Sequence, residues 1–262
     1  MDLGLSGRVV LVTGSNRGIG RAIAQSAVAE GAIVALCGRD ASLGAQVAEE
    51  IGADRAAWFT ADVTDAEQVA ALPAAVVGRL GRLDALVNNA GRFGGGPAID
   101  LEPAGIHEGI DTKVAGAVGL TRAALPALRR SDQARVVNIG GISAQRVTPG
   151  AAVTAIANAG LATVSGYLAQ ELASDGVTVN CVIPGYVLTD VWRGRARALA
   201  EAEGLTEEAG LQAVLDRQGL QGRWGEPAEI ADVVVFLLSA QARFVSGAAF
   251  RVDGAQFEGL QR

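Results

Sequence analysis

Thr13-Gly14-Ser15-Asn16-Arg17-Gly18-Ile19-Gly20 follows directly on the apolar run 9–12 and opens a helix-length stretch, 18–30. In that setting the three glycines have separate tasks. Gly14 permits a sharp turn at the end of a strand, Gly18 lets backbone approach a pyrophosphate, and Gly20 lets the helix pack on the strand. A helix starting here presents unpaired N–H groups and the positive end of its dipole to the phosphates. A glycine-rich turn alone is a weak signal. One that closes a first strand and opens a first helix marks a nucleotide-binding βα unit.

Outward from this turn, apolar runs rich in β-branched residues alternate with helical patterns. Strands are expected at 8–13, 33–37, 57–63, 85–89, 135–139, 177–183 and 248–252. Helices are expected at 18–30, 42–51, 65–80, 105–129, 151–174 and 227–239. Continuous apolar strands alternating with helices predict a seven-stranded, mostly parallel sheet covered on both faces. Crossover handedness closes it as a doubly wound α/β Rossmann fold, a single domain over residues 1–262. Only 186–225 breaks the alternation: it is polar, carries charges of both signs, and contains one expected helix near 206–217. Following the sixth strand, it stands beyond the carboxyl ends of the strands, where such sheets bind ligands. It reads either as a substrate lid or as a static surface hairpin.

Half of the 262 residues are hydrophobic and the net charge is −6. This composition supports a substantial core and excludes a solvated, disordered chain. The acidic balance argues against nucleic acid or an anionic membrane surface as a partner. Cys37 and Cys181 fall in expected strands, and with one histidine and no Cys-x-x-Cys spacing they predict neither a disulfide framework nor a metal site. The first residues lack the pattern of a secretory leader, and no run approaches the ~18 apolar residues of a membrane span. A cytoplasmic location is the expectation.

The turn has TGxxxGxG spacing rather than GxGxxG, and companion motifs accompany it. Asn88-Asn89-Ala90-Gly91 ends the fourth strand, Asp62-Val63 the third, and Pro184-Gly185 with Thr189 follows the sixth. Arg223-Trp224-Gly225-Glu226-Pro227 and Val252-Asp253-Gly254 complete the pattern, with Ala255 where a second glycine is common. Together these resemble the short-chain dehydrogenase/reductase family over essentially the whole chain. The resemblance implies a nicotinamide dinucleotide on Gly14, Arg17, Gly18, Ile19 and Gly20, and on Asn89, Ala90 and Gly91. It implies Asp62 and Val63 at the adenine, and Pro184, Gly185 and Thr189 near the nicotinamide. An acid at the end of the second strand would bind a ribose 2′-hydroxyl, but Cys37-Gly38-Arg39 stands there, with Arg17 in the glycine turn. Two guanidiniums suit a 2′-phosphate, so NADP(H) is expected over NAD(H). The resemblance also implies a homotetramer or homodimer built on helices 105–129 and 151–174.

Four catalytic positions are implied as well: a Tyr with a Lys four residues later, a Ser after the fifth strand, and an Asn in the preceding long helix. Counting back from Val177-Thr178-Val179-Asn180, with Ala159-Gly160-Leu161 holding the register, Thr154 stands at the Tyr place and Asn158 at the Lys place. Asn138-Ile139-Gly140-Gly141 puts Gly141 at the Ser place, and Gly116 with 121–126 puts Lys113 at the Asn place. In the family an ammonium on the same helical face lowers the phenol's pKa from about 10. Thr154 has no phenol to tune, and Asn158 has no charge with which to tune it. Lys113 and Asn158 read as an exchange that returns an ammonium to the same neighbourhood, or Lys113 is a surface or interface lysine. Ser143 is a candidate replacement hydroxyl, with an ordinary turn serine as the simpler reading. His107 reads as a solvated helix-start residue rather than a general base, Tyr167 as core or interface, Tyr186 equally as a substrate-lining residue at the cleft mouth or a packing aromatic, and Trp192 and Trp224 as packing aromatics rather than stacking platforms.

Three functions fit these residues. An NADP(H)-dependent oxidoreductase with altered proton delivery would suit an acceptor needing little proton assistance, such as a quinone- or enone-like small molecule. A non-redox cyclase, isomerase or lyase would reuse the cleft. A catalytically inert binding subunit would keep only the fold. The intact glycine turn and its companion motifs favour the first, while fold alone does not choose.

Overall fold

Strand β1 (Val9–Thr13) is buried along its whole length, as a strand covered on both faces must be. It pairs with β2 (Ile33–Gly38) on one side and β4 (Ala85–Asn88) on the other. With β3 (Ala56–Thr60), β5 (Arg135–Ile139), β6 (Thr178–Pro184) and β7 (Ala249–Val252), the order is β3-β2-β1-β4-β5-β6-β7. All pairings among the described residues are parallel, so the sheet expected as mostly parallel is wholly so there. The structure is a computed structural model describing residues 2–91, 96–218 and 222–256. Chain direction across the sheet reverses between β1 and β4, and this switch point opens a crevice beyond the strand ends.

The strands' period of two feeds two cores. Val10 and Val12 face one layer, formed by α1 (Gly18–Ala29), α2 (Ala41–Ile51) and α9 (Pro227–Leu238). Val9 and Leu11 face the other, formed by α3 (Ala66–Leu80), α5 (Gly116–Leu128) and α6 (Ala152–Glu171). Leu11, Ile23, Leu86, Leu120 and Ile230 are fully buried. Each such side chain contributes about 1.5–3 kcal/mol relative to exposure.

Four local expectations change. The third strand ends at Thr60, because its last partner, Gly38, ends β2, so Asp62 and Val63 lie past the sheet. The long helix expected at 105–129 is α4 (Pro103–Ile110) and α5, joined by a π-helical turn, Asp111–Ala115. A one-residue insertion of this kind leaves apolar periodicity on either side intact, so pattern alone does not show it. Segment 186–225 holds two helices, α7 (Asp190–Glu203) and α8 (Glu207–Arg217), around a small core that includes Tyr186, Ala196, Leu215 and Trp224. Residues 219–221 of it lie outside the described residues. Finally, α6 is long and apolar enough to cross a membrane by length and composition, contrary to the expectation that no stretch was. In this fold it packs beside β6, burying Val153, Ala157, Leu161 and Ala169.

Candidate active site

The glycine turn is held from two sides. The Asn89 side-chain amide donates to Thr13 O at 2.9 Å and Gly14 O at 3.0 Å, while Asn89 N and Ala90 N donate to Thr13 Oγ1, each at 3.0 Å. Cys37 N donates to the buried Ser15 Oγ at 2.9 Å, tying the turn to the end of β2. Gly14 has a φ of +62°, in the left-handed region that favours glycine. Gly20 is needed for space: a Cβ there would lie 2.3 Å from Gly14 O. Helix α1 begins with no side-chain cap and no acid in its first turn, which leaves its terminal N–H groups to a ligand.

A cleft of about 1600 Å³ runs from this turn across the strand ends. Gly14, Arg17, Gly18, Ile19, Gly20, Arg39, Asp62, Val63, Asn89, Ala90, Gly91, Pro184, Gly185 and Thr189 all line it, and so do Lys113, Ser143, Thr154 and Asn158. At the corner of the cleft beyond β2, Arg39 is 74 % exposed and lies 3.6 Å from Asp62. Arg17 is also exposed. The Thr64 backbone N–H, followed by its hydroxyl and the Arg39 guanidinium, holds the Asp62 carboxyl below the usual carboxylate range. Burial, reinforced by the Asp62 charge, pushes the Cys37 thiol up to about 12, so it stays protonated.

At the far end, polar side chains brace the sheet behind the site. Asn88 donates to Asn138 at 2.8 Å, and Asn138 donates to Ser165 of α6, also at 2.8 Å. In front of them the π-turn carries Lys113 into the cleft. Its Nζ donates to Gly140 O at 3.5 Å, and a Cβ on Gly91 would lie 3.1 Å from it. Lys113 is the single lysine among the chain's 22 lysines and arginines. Burial lowers its amine to about 8.

Asn158 is 2 % exposed and stands one helical turn from Thr154, also buried. Its Nδ2 donates to Ser143 Oγ at 2.9 Å, whereas its Oδ1 is buried without a hydrogen-bond partner. A Cβ on Gly141 would lie 2.6 Å from that Nδ2. The backbone of Gly141 is extended, so space alone requires glycine there. Ser143 sits in a 3-10 turn, Ile142–Ala144, and is a turn serine that also anchors Asn158.

Other residues fall on either side of their expectation. His107 is exposed on the rim. Tyr167 is 64 % exposed and therefore not core. Tyr186 is buried, donates to Gln218 Oε1 at 3.0 Å, and packs with Trp192 and Trp224. Trp192 packs and also lines the cleft, with Arg195 4.9 Å above its ring. Arg195 went unread in the sequence, although its three-residue spacing from Trp192 on a helix was a usable signal. Among the described residues no cluster of three His, Cys, Asp or Glu side chains could hold a metal ion.

The family described as Enoyl-(Acyl carrier protein) reductase matches residues 14–255. The 3-oxoacyl-(acyl-carrier-protein) reductase of Vibrio cholerae serotype O1 is 32% identical over 255 residues, covering 97% of this chain and 99% of that protein. The 2-(S)-hydroxypropyl-CoM dehydrogenase 3 of Xanthobacter autotrophicus is 35% identical over 252 residues, covering 95% and 96%. The crystal structure of L-sorbose reductase from Gluconobacter frateurii, complexed with NADPH and L-sorbose, superposes with a TM-score of 0.95 at 31% identity. It covers 99% of this chain and 100% of that one.

Proposed function

The chain belongs to the short-chain dehydrogenase/reductase family, and from that premise we propose that it is an NADP(H)-dependent oxidoreductase with a non-standard reacting centre. In this reading Thr154, Asn158 and Lys113 stand at the places of the family's usual Tyr, Lys and Asn, and Ser143 replaces the hydroxyl missing at Gly141. The observation that carries it is the sole lysine, part-buried in the same cleft as the glycine turn.

The residues suit the nucleotide. Gly14 and Gly20 leave room only for backbone, α1 offers uncapped N–H groups, and Arg17 and Arg39 are exposed at one corner. The structural relative above was solved with NADPH. When bound, the nucleotide supplies a hydride. The chain's own work is then to hold the substrate carbonyl and manage charge on its oxygen. The Lys113 ammonium meets that oxygen, stabilises the negative charge that develops there, and hands it a proton. Thr154 contributes a hydrogen bond without ionising. An acceptor needing little proton assistance, a quinone- or enone-like small molecule, fits this division best. Oxidation of NADPH by a panel of quinones, enones and ketones is the test, and turnover of none would overturn the proposal. Binding of NADPH without turnover would favour a non-redox reading, in which the Lys113 amine, held near 8, works as a base.

Assembly as a homodimer or homotetramer belongs to the same proposal, supported by Ile156 and Tyr167 exposed on α6. Segment 186–225 serves as the substrate lid, supported by Trp192 and Arg195 lining the cleft.

Two results follow. Charge-assisted bonds from Arg17 and Arg39 make NADPH bind more tightly than NADH by about 1–3 kcal/mol, measurable by fluorescence titration. Equal affinities would remove the two arginines from nucleotide choice. Thr154→Ala lowers NADPH-dependent turnover by less than about threefold, whereas loss of a general acid costs about 10²–10⁴-fold. A loss in the latter range, at unchanged nucleotide affinity, would give the proton to Thr154 instead.

A further inference from the structure

The chain's single lysine carries an amine that its surroundings match poorly as a cation. An ammonium has three hydrogens to place. Among the described residues Lys113 Nζ has one acceptor, Gly140 O, at 3.5 Å, the long limit of a hydrogen bond. Glu108, Asp111 and Asp190 also line the cleft, and none of them pairs with it. Burial lowers the amine to about 8, opposed only by the Cys181 thiol of β6. Burial pushes that thiol up in turn to about 11, so it is uncharged at neutral pH. The end of the lysine is also left bare. Gly91 runs beside it, and a Cβ there would stand 3.1 Å from Nζ and 3.9 Å from Cδ. Any side chain at position 91 would therefore lie over the amine. Gly91, Gly140 and half-buried Lys113 all line the cleft, so the amine stands between two residues of its wall. The same cleft has apolar lining from Ile142, Val187, Leu199 and Val214.

We propose that Lys113 is a covalent capture site for apolar aldehydes, which it holds as an imine on Nζ. The lone pair of the neutral amine makes the C–N bond and the carbonyl pair passes to oxygen. Both amine hydrogens then leave with that oxygen as water. No oxidant, reductant or nucleotide enters the step. A lysine desolvated in an apolar pocket is a usual nucleophile for carbonyl carbon. The ammonium that donates to a carbonyl oxygen and the amine that attacks a carbonyl carbon are two protonation states of one group. Capture therefore gains as pH rises through about 8, while proton delivery declines.

Benzaldehyde with sodium cyanoborohydride is the probe. The reductant adds hydride to the imine carbon and leaves a stable secondary amine. Peptide mapping separates a benzyl group on Lys113 from one on the N-terminal α-amino group. The folded full chain is compared with the same chain in guanidinium chloride, with Nα-acetyl-lysine added to each as a standard for the reagent. Near pH 8 the folded Lys113 has a neutral fraction about a hundredfold larger than an unfolded lysine of ordinary pKa 10.5. Labelling of Lys113 is expected to be at least about tenfold faster in the folded chain, levelling off above about pH 8. An enclosed lysine with only a structural role gives the reverse order, because folding hides it from the aldehyde. Labelling no faster in the folded chain, or confined to the α-amino group, overturns the proposal. The comparison needs no variant to fold. NADPH oxidation is followed separately: labelling without turnover sinks the redox reading alone, and turnover without labelling sinks covalent capture alone.

Discussion

Lys113→Met is expected to cut carbonyl turnover by about 10²–10³-fold, the usual cost of one donor aimed at a developing oxyanion, while NADPH affinity changes by less than about twofold. Methionine keeps an unbranched, flexible chain of comparable length, so the space between Gly91 and Gly140 stays filled and only the charge and its protons are lost. Steady-state kinetics beside nucleotide titration separates the two effects. Unchanged turnover would take Lys113 out of the chemistry. The pH dependence gives an independent check. Burial holds the amine near 8, so the ammonium is present below that pH and is lost above it. In the unaltered enzyme kcat/KM should therefore fall as pH rises through about 8, and the residual rate of the Met variant should lack that step. Stability moves the opposite way. Between about 8 and the ordinary lysine value of 10.5 the unfolded chain holds a proton that the folded chain has released, so folding becomes more favourable as pH rises through that window.

Gly20→Ala is expected to damage both the fold and nucleotide binding. The added Cβ would stand 2.3 Å from Gly14 O and 2.4 Å from Asn89 Nδ2, and the first of these is backbone that cannot swing aside. Relief requires α1 to move off the turn, which breaks the Asn89 bonds to Thr13 and Gly14. Overpacking of this kind costs about 1–3 kcal/mol. In a chain of this size that is a fall in melting temperature of roughly 2–12 °C. NADPH affinity should drop at least about tenfold, because the N–H groups of α1 leave the phosphate position. Thermal denaturation and nucleotide titration together read the outcome, and a variant with unchanged melting and binding would show that the turn has slack this structure does not display.

The nucleotide end of the site was legible because its requirements are local. Gly14, Gly18 and Gly20 stand in one stretch, and their spacing announces a turn and a close approach whatever the rest of the chain does. The sheet was legible for a similar reason: strands buried on both faces are apolar throughout. The reacting end was only half legible. Motif register located Lys113, Thr154 and Asn158, but whether Lys113 faced the cleft depended on a π-turn that leaves the surrounding periodicity undisturbed. The tight fit of Asn158 against Gly141 depends on how closely α6 approaches the end of β5, a tertiary distance that neither sequence carries alone. Helix α7 was missed for a different reason. Trp192, Ala196, Leu199 and Ala200 form an apolar stripe of helical spacing, but the six charged residues from 190 to 203 gave the segment a polar cast.

The π-turn Asp111–Ala115 is, in terms of descent, a helix carrying one residue more than its length requires. Removing Val114 or Ala115 would let the backbone relax to a regular helix, with every residue on the amino side, Lys113 included, turned by about 100° relative to α5. Lys113 would leave the cleft even though its codon was untouched. Exchanging one side chain for another at the same position leaves the backbone register alone. The segment is thus rigid toward insertion and deletion yet open to substitution. A lineage can try new chemistry at position 113 by single-base changes, each variant presenting its side chain at the same point beside Gly91 and Gly140.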